Sequence, residues 1–176
     1  GLSQVYYNKA LALAGVWHSA LTTMLSAHQS IGLPQPLMLF GSEEQKEQWL
    51  PKLAKTHISA FLLTEPDVGS DPARLSVTAT PSEDGSTYTI SGTKLWATNG
   101  AFADVVIVMA TVPKTDSDIA GHRRGGITAF IVPMDAEGVT VAHRNAFMGL
   151  KEIENSVTVF DNVQIPAGNI VGKEGM

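Results

Sequence analysis

The sequence predicts an α+β chain in which a helical N-terminal segment is followed by an antiparallel β-barrel or sandwich. Apolar residues recur near a 3.6-residue period over residues 2–30, and no proline interrupts them. From residue 58 onward, short runs rich in β-branched and aromatic residues alternate with turn residues, without helices between them. Successive strands of this kind pair antiparallel. We therefore expect a helical unit over residues 1–57 and a β-domain over residues 58–176.

The helical unit is expected to contain two helices. The first, over residues 2–30, has a wide apolar stripe, which is typical of a helix covered on most sides. Pro34 and Pro36 are expected to end it and to begin a connector. The second begins at Ser42, because a serine followed three residues later by Gln45 is a capping-box pattern.

The β-domain is expected to contain eight strands. The pairs Asp84-Gly85 and Ser91-Gly92 are expected to form tight turns between neighbouring strands. The polar run over residues 113–125 is expected to be an exposed loop between two strands. The predicted strands cover residues 58–64, 75–80, 87–91, 93–98, 104–111, 126–132, 138–142 and 157–165.

The composition argues against several classes of site. The 176 residues, 44% of them hydrophobic, are enough to bury a core. The absence of cysteine excludes a disulfide framework, a thiol nucleophile and a thiolate metal site. The five histidines lack the spacing of a helical metal site, so we expect no metal. A net charge of −5 argues against nucleic acid or an anionic membrane as partner.

Neither a membrane span nor a targeting signal is expected. Residues 10–31 are rich in Ala and Leu but are interrupted by polar residues, and no basic segment precedes them. We expect a cytoplasmic protein, or a mitochondrial one if the source is a eukaryote. Gly1 is not an initiator methionine and residues 172–175 read as an unfinished turn, so both ends are expected to be cut.

Two short blocks carry the strongest functional signal, residues 63–71 (LTEPDVGSD) and residues 92–100 (GTKLWATNG). Alternate residues of a strand share a face, so Lys94, Trp96 and Thr98 are expected to point the same way. An indole can pack on a flat aromatic ring, and a threonine hydroxyl can bond a ring nitrogen. The second block is therefore suited to gripping a flat ring with polar edges.

The end of the first block is suited to a phosphate. Gly69 allows close approach of the backbone, Asp71 is a candidate N-cap, and Pro72 suits the first position of a short helix. The Ser70 hydroxyl would lie beside that helix N-terminus, where a diphosphate-linked cofactor would fit. Taken singly, each feature also has a structural explanation, since a tryptophan in a strand is usually core and threonine is a good strand former. Their joint occurrence favours a ligand site.

The order and spacing of the two blocks resemble the flavin-binding middle domain of the acyl-CoA dehydrogenases. The resemblance extends from about residue 32 to the end, and the polar loop is most similar to that of long-chain members. It implies an N-terminal helical domain, in part, over residues 1–57 and a middle β-domain that binds FAD over residues 58–176, without the family's C-terminal helical domain. It also implies dehydrogenation of a fatty acyl-CoA thioester to its trans-2-enoyl form. Further segments that carry the resemblance are residues 41–53, 127–132, 148–151 and 160–166.

The resemblance also implies which residues contact FAD. Thr64 would bond the pyrimidine edge of the flavin, Trp96 would pack against the ring system, and Thr98 would reach the region of N5. Phe61 stands where the family often has tyrosine, so a hydroxyl contact is lost there. Ser70 would contact the FAD pyrophosphate or the bound acyl-CoA. The implied cofactor-binding set is Phe61, Leu63, Thr64, Gly69, Ser70, Trp96, Ala97 and Thr98.

No catalytic residue is expected in this chain. Removal of the substrate α-proton needs a carboxylate base, which in the family is a glutamate of the C-terminal helical domain or thereabouts. Glu65 is expected to be a structural turn carboxylate, and Glu152 and Glu154 are expected to be solvated. The fragment alone is therefore expected to be inactive. Arg123 and Arg124 are candidates for binding the coenzyme A phosphates, with a solvated loop as the alternative.

Two other functions stay open from the sequence. An acyl-CoA oxidase would share the fold and pass electrons to oxygen, and a non-catalytic β-domain would serve as an interaction module. The resemblance implies an acyl-CoA substrate, an electron-transfer flavoprotein or similar acceptor, and a homo-oligomer, either a dimer or a tetramer.

Overall fold

The computed structural model describes residues 3–114 and 126–175. Helices come first and strands follow. The helices are α1 (Gln4–Trp17), α2 (Ser19–Ser30), α3 (Pro34–Phe40) and α4 (Glu43–Leu53). The strands are β1 (Ser59–Leu62), β2 (Thr78–Pro81), β3 (Thr87–Ala97), β4 (Val105–Val112), β5 (Gly126–Pro133), β6 (Val139–Arg144), β7 (Ser156–Pro166) and β8 (Ile170–Val171). Within these ranges no helix is long and apolar enough to cross a membrane.

The strands form one eight-stranded sheet in the order β6-β7-β3-β2-β4-β5-β8, with β1 beside β4. The predicted class, helices followed by a β-domain, is confirmed. The sheet is mixed, however, because β1 and β2 both pair with β4 in parallel, whereas the other pairs are antiparallel. Parallel strands need a long crossover connection, and β2 and β3 supply it between β1 and β4.

Strand β4 supplies residues to two separate cores. Val106, Val108, Ala110 and Val112 point into a core formed by the sheet itself. Val105 and Ile107, on its other face, pack against Leu33, Leu37, Trp49 and Leu53 of the helical segment. Alternation along the strand thus attaches the helices to the β-domain.

The capping box predicted at the start of α4 is confirmed. Ser42 Oγ accepts the Gln45 backbone N–H, and Gln45 Oε1 accepts the Ser42 N–H. The Gln45 amide also donates to the carbonyls of Gly168 (2.8 Å) and Ile170 (2.7 Å). One side chain therefore both caps α4 and ties it to β8.

The helix predicted over residues 2–30 is two helices. His18 takes an extended conformation (φ −156°, ψ 97°), and its Nδ1 accepts the Leu21 N–H at 3.1 Å, which caps α2. Nothing in the apolar period marks this break, because no proline or glycine causes it. The expectation of a helix covered on most sides is wrong for α1, which packs mainly against α2 and has no buried residue.

The connector predicted at Pro34 and Pro36 is a short helix, α3. Pro34 lies at its first position, where the N–H that proline lacks would have no partner within the helix. Leu37 of α3 is fully buried against β4 and the other helices. Pro34 at the first helical position and the burial of Leu37 account for a helix where a connector was predicted.

The turn predicted at Ser91-Gly92 is instead a β-bulge within the single long strand β3. The register with β7 shifts between Ile90 and Gly92, and Gly92 has φ 135°. A Cβ at this position would lie 2.8 Å from Val77 Cγ2, so glycine allows the strand to pass close to Val77. Of the loop predicted over residues 113–125, positions 115–125 lie outside the described residues.

Candidate functional site

The structure brings the two motif blocks together by hydrogen bonds. The Leu95 N–H donates to the Thr64 carbonyl at 2.8 Å. The Lys94 ammonium donates to the Leu63 carbonyl at 2.9 Å. The end of β1 and the end of β3 are therefore held side by side, as a shared binding site requires.

A buried ion pair lies under this junction. Lys94 Nζ donates to Glu65 Oε1 at 2.8 Å, and both side chains are almost fully buried. The Glu65 carboxylate also accepts the Ser76 N–H (2.7 Å), the Ser76 hydroxyl (2.6 Å) and the Val77 N–H (3.0 Å). Glu65 is thus a fully bonded structural carboxylate, in agreement with its predicted role in the turn.

The charge state of this pair follows from those bonds. Burial alone raises the pKa of Glu65, but the hydrogen bonds from Lys94, Ser76 and Val77 outweigh it, so the pKa lies below its ordinary value. Burial also lowers the pKa of Lys94, which taken alone would favour a neutral amine. Four hydrogen bonds are donated to the Glu65 oxygens, so no lone pair is left to bind a proton. The carboxylate is therefore ionised, and its negative charge keeps the Lys94 amine protonated.

Trp96 has an unusual backbone and an exposed side chain. Its φ is 60°, in the left-handed region that bulky residues rarely adopt, and 53% of the residue is exposed. The register with β7 shifts between Lys94 and Ala97. This bulge breaks the alternation of the strand, so the prediction that Lys94 and Trp96 share a face is wrong: Lys94 points inward and Trp96 outward. Strain of this kind is concentrated at functional sites.

Trp96 and Thr98 line one cleft of about 450 Å³. Its opposite wall comes from the segment between β6 and β7, and the Phe147 ring lies 6.0 Å from the Trp96 ring, tilted by 42°. That segment is held at its base by a buried hydrogen bond of 2.7 Å from the Asn145 amide to Asn155 Oδ1. The lining residues are Trp96, Thr98, Phe147, Met148, Gly149, Leu150, Ile153 and Asn155.

Sequence reasoning placed residues 148–151 in the family resemblance but did not place this segment in the site. Two signals point to it in the structure. Met148 is fully exposed, and Gly149 and Leu150 both have positive φ, of 77° and 45°. An exposed apolar tip on a strained turn is typical of a surface that another group covers.

Thr98 also borders a second groove, of about 440 Å³, that runs along α2. Most of its lining residues are small side chains of α2. Its lining residues are Leu11, Thr22, Thr23, Ser26, Ala27, Ser30, Ile31 and Thr98. Thr98 is thus the residue at which the ring-sized cleft and the α2 groove meet.

The other predicted contact residues do not line the Trp96 cleft or the α2 groove. Leu63 and Thr64 are half-buried, and Ala97 is buried, so Ala97 has only its backbone to offer. Gly69 and Ser70 are exposed, and a Cβ on Gly69 would meet no atom within 4 Å. The helix expected after them is a single turn, Pro72–Arg74, whose Asp71 cap makes no side-chain hydrogen bond. A turn this short has a weak dipole, so the phosphate prediction depends mainly on the Ser70 hydroxyl and the local backbone.

Phe61 lies apart from Trp96. It faces the helical layer beside β4 and lines two other apolar grooves, with Pro36 and Phe40 among their walls. Alternation explains this placement, because Ala60 and Leu62 point into the sheet core. The structure therefore does not bring Phe61 into the cleft of Trp96 and Thr98.

The charged residues that the sequence analysis considered for the site do not line the Trp96 cleft or the α2 groove, as far as the structure describes them. Glu154 pairs with Arg144 at 2.7 Å, and Arg144 also donates to the Lys151 carbonyl. Arg123 and Arg124 lie outside the described residues. In the parts of the chain that the structure describes, no three His, Asp or Glu side chains come together as a metal site.

Comparison with known proteins agrees with this geometry. Residues 60–163 match the acyl-CoA dehydrogenase middle domain, and residues 1–57 match the acyl-CoA dehydrogenase N-terminal domain. The chain is 55% identical to a probable acyl-CoA dehydrogenase, FadE10, of Mycobacterium tuberculosis over 99% of its length and 26% of that protein. It is 40% identical to the bovine mitochondrial very long-chain specific acyl-CoA dehydrogenase over 99% of its length and 27% of that protein.

A solved structure has the same fold. An acyl-CoA dehydrogenase complexed with FAD from Bacillus anthracis superposes with a TM-score of 0.78 at 35% identity, over 89% of this chain and 25% of that one. The chain thus spans about a quarter of the length of each of these three proteins. With the paired motif blocks, the exposed indole and these matches, the chain belongs to the acyl-CoA dehydrogenase family.

Proposed function

We propose that this chain is part of an FAD-dependent acyl-CoA dehydrogenase that converts fatty acyl-CoA thioesters to trans-2-enoyl-CoA. One observation carries the proposal. The Trp96 side chain is exposed on a residue with left-handed backbone conformation, and it lines the same cleft as Thr98. Membership of the family, the fold shared with an FAD complex and the similarity to acyl-CoA dehydrogenases support it.

The residues at the cleft fit a flavin. Trp96 would pack against the ring system, because 53% of the residue is exposed and its indole lines the cleft. The Thr98 hydroxyl would lie at the N5 edge, and the backbone of Leu63 and Thr64 would meet the pyrimidine edge. Ser70 and Gly69 would meet the pyrophosphate, and Ala97 would contribute its backbone. Phe61 could contact FAD only outside this cleft.

Bound FAD supplies the acceptor for hydride from the substrate β-carbon. The chain's own residues would bind and orient, since neither the Trp96 cleft nor the α2 groove is lined by a carboxylate among the described residues. Glu65 cannot serve as the base, because its oxygens accept four hydrogen bonds inside the protein. We propose that the base for the α-proton is supplied by residues that this chain does not contain and that the chain alone has no turnover.

The α2 groove suits a long acyl chain. Thr98 lines it together with the small side chains Thr23, Ser26 and Ala27, which leave room beside the helix. We propose that acyl groups of the long-chain class lie there, and the similarity to a very long-chain specific relative supports this class. Turnover measured across acyl-CoAs of increasing chain length would decide it, and a maximum at short chains would contradict it.

The remaining expectations are also proposals. An electron-transfer flavoprotein is the proposed acceptor, the proposed assembly is a homodimer or homotetramer, and the proposed location is the cytoplasm, or the mitochondrion in a eukaryote. The proposed domain boundary lies near His57, between the last helix and β1.

The direct test uses the full-length protein. It should purify yellow or bind added FAD, and an acyl-CoA should bleach the flavin absorption without oxygen. Rapid reoxidation by dioxygen would favour the oxidase alternative, and a colourless protein that FAD does not reconstitute would favour the interaction module. Measurable turnover by residues 1–176 alone would show that the base lies within them.

Trp96→Ala tests the placement of the ring. We expect a loss of flavin occupancy, because the packing surface is removed. Trp17→Ala is the matched control, since Trp17 is an exposed indole of α1 that does not line the cleft. Equal flavin content and equal spectra in the two variants would contradict the placement.

A further inference from the structure

The turn that carries Thr98 is fixed by its neighbour Asn99. Asn99 has φ 69° and is fully buried. Its Nδ2 donates to the Met24 carbonyl of α2 at 2.9 Å and to the Ser59 carbonyl of β1 at 3.3 Å. A single amide therefore ties the turn both to the helix that forms the α2 groove and to the strand that leads into the first motif block.

The orientation of this amide follows from its partners. Two carbonyl oxygens face the same end of the side chain, so that end must be the NH₂ group, which is the donor. The opposite end, Oδ1, is the buried side-chain polar atom without a hydrogen-bond partner among residues 3–114 and 126–175. The amide therefore acts on the turn through its two donated hydrogen bonds, and asparagine is also one of the few residues that readily adopt this positive φ.

The tie extends into the helical layer through Ser59 and His28. The Ser59 hydroxyl accepts the Leu33 N–H at 3.1 Å and lies 2.9 Å from His28 Nδ1. The Ser59 N–H also points at Nδ1, at 3.0 Å, so Nδ1 is the acceptor and Nε2 carries the hydrogen. Nε2 then donates to the Leu53 carbonyl at 3.1 Å. Buried hydrogen bonds thus link the end of α4 to α2, β1 and the Thr98 turn.

We propose that Asn99 is a positioning residue: its amide sets the distance between the Thr98 hydroxyl and α2, and so places that hydroxyl against the flavin edge. The inference rests on the proposed function, because it assigns Asn99 a role toward FAD bound at the Trp96 cleft. Ala97 and Asn99 are both buried, whereas Thr98 between them is half-exposed. Any loosening of the Asn99 tie would therefore move Thr98 relative to both grooves.

The test uses the full-length protein loaded with FAD. Asn99→Gly removes the tie and keeps a residue that accepts positive φ, so the turn can still form. Asn99→Ser keeps one short donor. We expect the flavin dissociation constant to rise at least tenfold in Asn99→Gly and less in Asn99→Ser. The absorption spectrum and midpoint potential of the bound flavin should shift in the same order.

Asn162→Gly is the matched control. Asn162 of β7 also has positive φ, 51°, but it is exposed, and its amide donates to Asp161 Oδ1 and accepts the Ser91 hydroxyl. It should leave the spectrum and the potential unchanged. A purely structural role for Asn99 would lower the melting temperature while the bound flavin kept its wild-type spectrum and potential.

The outcomes separate the two proposals. Wild-type spectrum, potential and flavin affinity in both Asn99 variants would overturn the positioning role and leave the proposed function standing. A wild-type protein that does not bind FAD would overturn the proposed function itself. If Asn99→Gly does not fold, a graded shift in Asn99→Ser supports the role, and the absence of any shift in that variant overturns it.

Discussion

Lys94 and Trp96 lie two residues apart in β3, but their environments are opposite. Lys94 is fully buried and bonded to Glu65 and Leu63, whereas Trp96 is 53% exposed on a left-handed backbone. The first joins the two motif blocks, and the second presents a surface for a ligand. The contrast teaches that a bulge can separate a stabilising residue from a binding residue within one strand.

Removing the buried cation should break this arrangement most severely. Lys94→Met leaves the Glu65 carboxylate without its charged partner, and we expect the free energy of unfolding to fall by about 3 kcal/mol. Urea denaturation of the full-length protein measures it. The double variant Glu65→Gln, Lys94→Met is the control and should recover part of the loss. Equal stability of Lys94→Met and wild type would show that the pair does not hold the junction.

A smaller effect is expected from the turn that follows Trp96. In Gly100→Ala the new Cβ would overlap Ser156 Oγ and come within 2.9 Å of Ala97 Cβ. Overpacking of this kind costs about 2 kcal/mol. Gly69→Ala is the control, because a Cβ there meets nothing within 4 Å. The melting temperatures of the two variants test this, and equal values would show that the turn moves to accommodate the added methyl group.

The strain at Trp96 can be measured by comparing two truncations. Trp96→Gly and Trp96→Ala lose the same indole, but only glycine accepts φ 60° without cost. We expect the glycine variant to be more stable by about 1 kcal/mol, although both should retain less flavin. A more stable alanine variant in chemical denaturation would show that the backbone is not strained.

The smallest effect is expected from mild acid. Because the pKa of Glu65 is lowered in the folded state, the unfolded chain binds the proton more readily, so stability falls as pH falls. The contribution is complete well above the unfolded value of about 4.3 and is lost toward the folded value. Between pH 5 and pH 4 we expect this group to contribute a loss of less than about 1 kcal/mol. The double variant, which lacks the carboxylate, should lose less over the same interval in pH-dependent denaturation.

Local pattern predicted much of the fold. Runs rich in β-branched residues, bounded by turn residues, located β4, β5 and β7 to within one or two residues, and the Ser42 capping box located the start of α4. The break at His18 was missed because a side chain, and not a proline or glycine, caps the next helix. Gly92 was interpreted as a turn because local sequence does not distinguish a hairpin corner from a bulge.

The candidate site was predicted less completely. The two blocks indicated Trp96 and Thr98, which line one cleft. Strand alternation predicts Lys94 on the same face as these two residues, but the bulge at Trp96 interrupts the alternation and places Lys94 on the opposite face. Phe147 and the segment around it could not be placed, because their approach to Trp96 depends on the pairing of β7 with both β6 and β3, which joins residues far apart in the sequence.

The two-sided burial of β4 has a consequence for how this region can vary. A strand with one solvent-exposed face tolerates polar substitutions at every second position. Saturation mutagenesis of such a strand therefore gives a tolerance profile with a period of two residues. Residues 105–108 have no solvent-exposed face, because the odd-numbered side chains pack against the helices and the even-numbered ones pack in the core of the sheet. A scan should therefore register an unbroken block of intolerant positions there, and homologues should vary only among aliphatic side chains of similar volume.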